Sequence, residues 1–141
     1  MSQKTLTKPG PHPTRVSQPF WDATSQGQLI VQRCQDCERS VFYPRQRCPY
    51  CWSAKLEWHE ASGRGVIASF IGVYKPGHPA FIDDAPYIVA LVDLEEGPRM
   101  LSNVINRSPD EPLIGQTVEV VFEAQGNVTL PKFRTVKEGS L

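Results

Sequence analysis

The sequence predicts a mainly β protein: one short helix, a small metal-clipped ribbon, then a five-stranded barrel that is closed or nearly so. Three observations predict it. All four cysteines fall in CQDCERSVFYPRQRCPYC, Cys34 to Cys51, as two CxxC pairs separated by ten residues. Beyond Gly65 the chain turns into short segments rich in Val, Ile, Phe and Tyr, divided by loops carrying Gly, Pro, Asp and Asn. Neither a long helical periodicity nor an internal repeat is present. At 141 residues the chain can bury one good core with a small appendage beside it.

Residues 1–16 hold Pro9, Pro11 and Pro13 among few apolar side chains, which predicts a mobile or polyproline II-like tail. In SQPFWDATSQGQL, Ser17 can cap, Pro19 suits a first helical turn and Gly27 can end the helix about two turns later. So short a helix needs something to pack on. Its aromatics, Phe20 and Trp21, are expected either on the chain's own ribbon or on a partner. QLIVQRC reads as a strand entering the first cysteine pair and LEWHEA as one leaving the second, with Gly63 and Gly65 as breakers behind them.

The barrel strands are GVIASFIGVY, PYIVALVDL, RMLSNVI, TVEVVFEA and KFRTV. The DLEEGPR turn predicts an antiparallel hairpin between the second and third. The longest loop, KPGHPAFIDDAP, runs from Lys75 to Pro86 with an apolar Phe81-Ile82 tip, which is either functional or folded back over one mouth of the barrel. The expected divisions are a tail (1–16), helix and ribbon (17–62), barrel (63–137) and a tail (138–141).

No apolar run reaches signal-peptide or membrane-helix length, which predicts a soluble cytoplasmic protein. In a reducing compartment paired CxxC motifs hold a metal more often than they form disulfides. Zinc takes four thiolates in a tetrahedron, and two facing knuckles supply Cys34, Cys37, Cys48 and Cys51. That set fills the coordination shell and leaves no open position, so the ion is structural. Iron is the rival, since a tetrathiolate accepts either ion; the knuckles CQDCE and CPYCW, however, lack the glycine that follows each pair in the rubredoxin pattern. No catalytic residue is predicted: His12, His59 and His78 have no supporting context, and there is no GxGxxG, phosphate loop or HExxH.

Charge is balanced overall but uneven. Residues 1–65 carry nine Lys/Arg against five Asp/Glu, and residues 66–141 carry six against ten. An acidic barrel half argues against a nucleic-acid partner. The competing reading, a single-stranded nucleic-acid binder, rests on Arg33, Arg39, Arg45 and Arg47 around the knuckles. A free-standing thiolase or hydrolase would need a spare cysteine nucleophile or a triad, and shows neither.

Taken together, PFWDATSQGQLIVQRCQDCERSVFYPRQRCPYC, APYIVALVDLEEGPRMLSNVI, IGQTVEVVFE and LPKFRTV closely resemble the acyl-CoA-associated zinc-ribbon and OB-fold proteins, long catalogued as a domain of unknown function. The resemblance runs from about Ser17 to Val136. It implies a rubredoxin-like zinc ribbon, an OB-fold barrel and one structural zinc ion. It also implies an accessory subunit of a thiolase-like enzyme, alternatively of a MaoC-like hydratase, helping to form or shield a CoA site. The associated chemistry is carbon–carbon bond cleavage or formation on acyl-CoA substrates, as in steroid side-chain or aromatic catabolism. On that footing Phe20 and Trp21 are expected to anchor the partner, and Arg64, Tyr74, Lys75, His78 and Phe81 to line a CoA groove.

Overall fold

The computed structural model describes residues 11–126 and 128–136. The expected C-terminal tail and residues 1–10 of the N-terminal one lie outside them. The element order is α1 (Gln18–Thr24), β1 (Ile30–Cys34), β2 (Ser40–Val41), β3 (Leu56–Glu60), β4 (Arg64–Val73), a 3₁₀ turn (Pro79–Asp84), β5 (Tyr87–Leu94), β6 (Arg99–Val104), β7 (Thr117–Gln125) and β8 (Val128–Thr135).

Helix α1 ends as its sequence predicts. Gly27 takes a left-handed φ of 77° and its N–H donates to Thr24 O, while Gln28 N–H donates to Ala23 O, the paired bonds of a Schellman close. Its start differs: Ser17 makes no side-chain cap, because its Oγ instead accepts the Thr14 N–H at 2.8 Å. The ribbon is a three-stranded antiparallel sheet in the order β2-β1-β3. Its short β2 was not legible in the sequence. Gln32, buried on β1, holds the loop beyond β2: its Nε2 donates to Arg45 O at 2.8 Å and its Oε1 accepts Arg45 N–H at 2.7 Å.

The five later strands close into a barrel in the order β4-β5-β6-β8-β7, with β7 returning to β4. All pairings are antiparallel except β6 with β8, which meet in parallel at the single pair Val104 and Phe133. This is the five-stranded Greek-key barrel of an OB fold. Inward positions alternate along β5, where Ile88, Ala90, Val92 and Leu94 are buried. They meet Ile67, Met100, Val104, Val118 and Phe133 in the core.

Two expectations need correction. Gly65 is not a breaker but a residue of β4 opposite Leu94; any Cβ there would lie 2.7 Å from Asp93 O, so only glycine lets the two strands approach. Strand β8 begins at Val128, four residues before the KFRTV segment, and passes through Pro131. A proline is tolerated there because β6 pairs with β8 only beyond it, and the Pro131 carbonyl accepts Ser102 Oγ at 2.7 Å.

The helix, ribbon and barrel share one core. Phe20, Leu29, Val31 and Ala61 are buried in the same cluster as the barrel residues, with Trp21, Phe42 and Trp58 packed against it. Only the far end of the ribbon has a separate cluster, made of Cys34, Val41 and Cys48 with Cys37 and Leu56 at its edge. Gln32→Ala is expected to cost about 1–2 kcal/mol by stranding two backbone groups of Arg45. Urea unfolding with hydrogen exchange at the Arg45 amide checks it, and an unchanged amide would show that the loop is held elsewhere.

Candidate functional site

The two cysteine knuckles repeat one hydrogen-bond pattern. Cys34 N–H donates to Arg39 O and Glu38 N–H to Cys34 O; fourteen residues on, Cys48 N–H donates to Ser53 O and Trp52 N–H to Cys48 O, all at 2.9 Å. Amides also point at sulfur, Cys37 N–H to Cys34 Sγ at 3.5 Å and Tyr50 N–H to Cys48 Sγ at 3.4 Å. The residue after each pair, Glu38 (φ 63°) or Trp52 (φ 65°), is left-handed. These are the places where the rubredoxin pattern carries glycine. The missing glycines therefore do not mean a different turn; the same turn forms at a cost of about 1–2 kcal/mol for each side chain held there. Their absence gives no ground for choosing between zinc and iron.

The four sulfurs converge within 4.8 Å of one another, with Cys34 and Cys51 Sγ 3.5 Å apart and Cys37 and Cys48 Sγ 3.6 Å apart. A tetrahedron with metal–sulfur bonds of about 2.3 Å has edges of about 3.8 Å, so the cluster fits one tetrahedral ion. Backbone amides and burial oppose one another at three of the thiols. The Cys37 N–H, partly opposed by burial, pulls Cys34 down to about 6. At Cys51 the Ser53 N–H acts the same way, but burial and the other three sulfurs outweigh it and push the group up to about 12. Cys37 is raised in spite of the Arg39 N–H, by burial and by Cys48 and Cys34. Cys34 forms a thiolate readily while Cys37 and Cys51 resist, and a bound cation would favour the thiolate at both.

A groove crosses the barrel where β6 and β8 diverge. On one side, a cavity of about 530 Å³ is lined by residues of β5 and β6 together with Phe81, Arg107, Glu123 and Lys132. On the other side, a more apolar cavity of about 460 Å³ runs between the barrel and Trp21, Phe42 and Tyr43. The two share Leu101, Ser102, Asn103 and Lys132. Volumes of this size suit a small organic ligand. Arg107 donates to Gln116 Oε1 at 3.0 Å and pairs with Glu111 at 3.4 Å, and Lys132 pairs with Glu123 at 2.7 Å.

Of the five residues expected to line a CoA groove, Phe81 borders the larger of these cavities, with its ring centroid 6.4 Å from that of Tyr87, and the other four do not. His78 stands beside Phe81, but its Nδ1 accepts the Ala80 N–H at 3.0 Å and caps the 3₁₀ turn. Tyr74 is exposed and donates to Asp110 Oδ1 at 3.0 Å, which raises its phenol pKa, and Lys75 beside it is exposed. Arg64 is at the opposite end of β4 from Tyr74. The cations at the groove, Arg107 and Lys132, carry no motif and went unnoticed in the sequence. Phe20, expected at a partner, is 3% exposed, and its ring sits in the shared core against Phe42. Trp21 remains half-buried at the mouth of the apolar cavity. His59 sits exposed, 3.2 Å from Glu57, and His12 borders the apolar cavity.

Family models match residues 21–123, which takes in the ribbon and the barrel strands up to most of β7. One described as the ChsH2 rubredoxin-like zinc ribbon domain covers residues 21–57, and one described as the ChsH2 C-terminal OB-fold domain covers residues 58–123. The chain belongs to the ChsH2-type DUF35 family. A DUF35 domain-containing scaffold protein of Methanothermobacter thermautotrophicus is 42% identical over 95 residues, 67% of this chain and 71% of that one. A probable enoyl-CoA hydratase alpha subunit of Thermomonospora curvata is 41% identical over 117 residues, 82% of this chain but only 36% of the relative, so this chain spans about a third of that protein's length. Among solved structures, the Ltp2-ChsH2(DUF35) aldolase matches with a TM-score of 0.79 at 38% identity, covering 89% of this chain and 98% of that one. A DUF35 protein from Sulfolobus solfataricus, at 16% identity and a TM-score of 0.61, shares the fold. No helix among the described residues is long and apolar enough to cross a membrane.

Because the DUF35 ribbon's distal cluster is built largely of cysteine, Cys48→Ser is expected to lose the metal and the amide protection of residues 34–56, while Leu29 and Val31, held in the barrel core, stay protected. Metal analysis and NMR hydrogen exchange check this. A variant with a rigid distal ribbon would show that the metal does not hold it.

Proposed function

We propose that this chain is an accessory subunit of an acyl-CoA enzyme, binding a thiolase-like partner through its helix and ribbon side and contributing the β6–β8 groove to a shared CoA site. The observation that carries the reading is the near-complete correspondence of this chain with the DUF35 component of the Ltp2-ChsH2 aldolase. The groove adds chemical support. Apolar walls at Trp21, Phe42 and Leu101 suit a pantetheine arm or acyl group, and Arg107 and Lys132 offer charge to an anionic end. A MaoC-like hydratase is the alternative partner, supported by relatives described as hydratase alpha subunits. One zinc ion in the four-cysteine cluster is the structural cofactor of this reading.

Purification of the tagged chain from its host at moderate salt, with mass spectrometry of what accompanies it, is expected to recover a thiolase-like or hydratase subunit. Recovery of nucleic acid without such an enzyme would overturn the reading. Trp21→Ala is expected to weaken the complex at least ~10-fold while metal content stays unchanged, as for an aromatic at an interface centre. An unchanged dissociation constant would remove Trp21 from the interface.

A further inference from the structure

The tip of the ribbon presents a surface that neither the metal nor the groove uses. Trp52 combines a left-handed backbone, φ 65°, with an indole that is 73% exposed. The left-handed backbone belongs to the knuckle turn, but the indole does not serve the ribbon: that conformation disfavours any side chain, and an exposed indole buries no apolar area. Beside it Tyr50 is 56% exposed, and the Arg39 guanidinium lies 4.7 Å from the centre of its ring. Arg47 donates to the Trp52 carbonyl at 3.1 Å, so an arginine lies beside each of the two residues that flank Cys51. Residues 39–56 contain Arg39, Arg45, Arg47 and Lys55 and no carboxylate. The adjoining acidic side chains are occupied, Asp36 by Ser53 Oγ and Glu38 by Arg33. Among the described residues Arg39 and Arg47 have no ion-pair partner.

We propose that Arg39, Arg47, Tyr50 and Trp52 form a docking surface for a carboxylate-bearing face of a folded protein, the enzyme subunit of the accessory reading on which this inference rests. Tryptophan, tyrosine and arginine are the residue types that dominate interface energy. Both aromatics flank Cys51 in the second knuckle, so the metal clip fixes the backbone that carries them and little order is lost on docking. The charge of the chain favours protein carboxylates over a phosphate backbone, because residues 66–141 carry ten acidic against six basic side chains and would repel a polyanion.

The test uses the enzyme subunit recovered with the wild-type chain, titrated against the wild type, Trp52→Gly and the pair Arg39→Glu/Arg47→Glu. Glycine at position 52 deletes the indole and relieves the left-handed backbone. It is expected to leave metal content intact and the ribbon at least as resistant to exchange, while weakening binding ~30-fold or more. The charge-reversal pair is expected to weaken binding at least ~10-fold, with the wild-type dissociation constant rising with salt. If all three proteins bind alike, the surface is wrong and the accessory reading stands. If the wild type recovers no enzyme subunit, both fail. A single-stranded oligonucleotide captured by the wild type and lost in Trp52→Gly would reassign the patch to nucleic acid.

Discussion

The shared core beneath the helix is the contact on which the rest of the molecule depends. Phe20, Leu29, Val31 and Ala61 enter the same buried cluster as Ile67, Met100 and Phe133. A helix of seven residues has little stability of its own, and a three-stranded ribbon has little core. Seating both on the barrel supplies the apolar burial that each lacks, and it fixes their orientation. The apolar half of the groove exists only because of that seating: Trp21, Phe42 and Tyr43 form one wall, and Met100, Leu130 and Pro131 the other.

Beyond this base the ribbon changes its source of order. Its far end has no aliphatic core to speak of, only Val41 and Leu56 around the sulfurs. Amides aimed at sulfur, and the twofold repetition of one turn, bring four sulfurs within 4.8 Å of one another, a set that one tetrahedral ion fits. An ion bound to the four sulfurs would supply the stability that packing does not, and the side chains around the cluster are released from packing. That release lets large aromatics stand in solvent at Tyr50 and Trp52, on a backbone the clip holds still.

The groove has a different origin. An OB barrel closes through one parallel contact, and here β6 and β8 touch at a single residue pair before separating. Side-chain bonds such as Ser102 to Pro131 stitch the seam without filling it. The opening gathers residues from β5, β6, β8 and the loops flanking them, so a small barrel whose interior is fully packed can still offer concave surface on its wall.

What depends on neighbours along the chain can be read without the fold. The CxxC spacing brought the four cysteines into one cluster, Gly27 ended the helix, alternation along PYIVALVDL separated inward from outward residues, and EEGP turned the hairpin. Short-range geometry and side-chain period are local properties, and the family resemblance carried the barrel topology with them. Tertiary structure alone decided what depends on residues distant in the chain. It sent Phe20 inward, gave His78 to a cap and Tyr74 to Asp110, made Gly65 a close-contact residue, and assembled Arg107, Lys132 and Phe81 around one groove. Each of these outcomes turns on which partner lies within a few ångströms after folding, and no pattern along a single strand or loop encodes that.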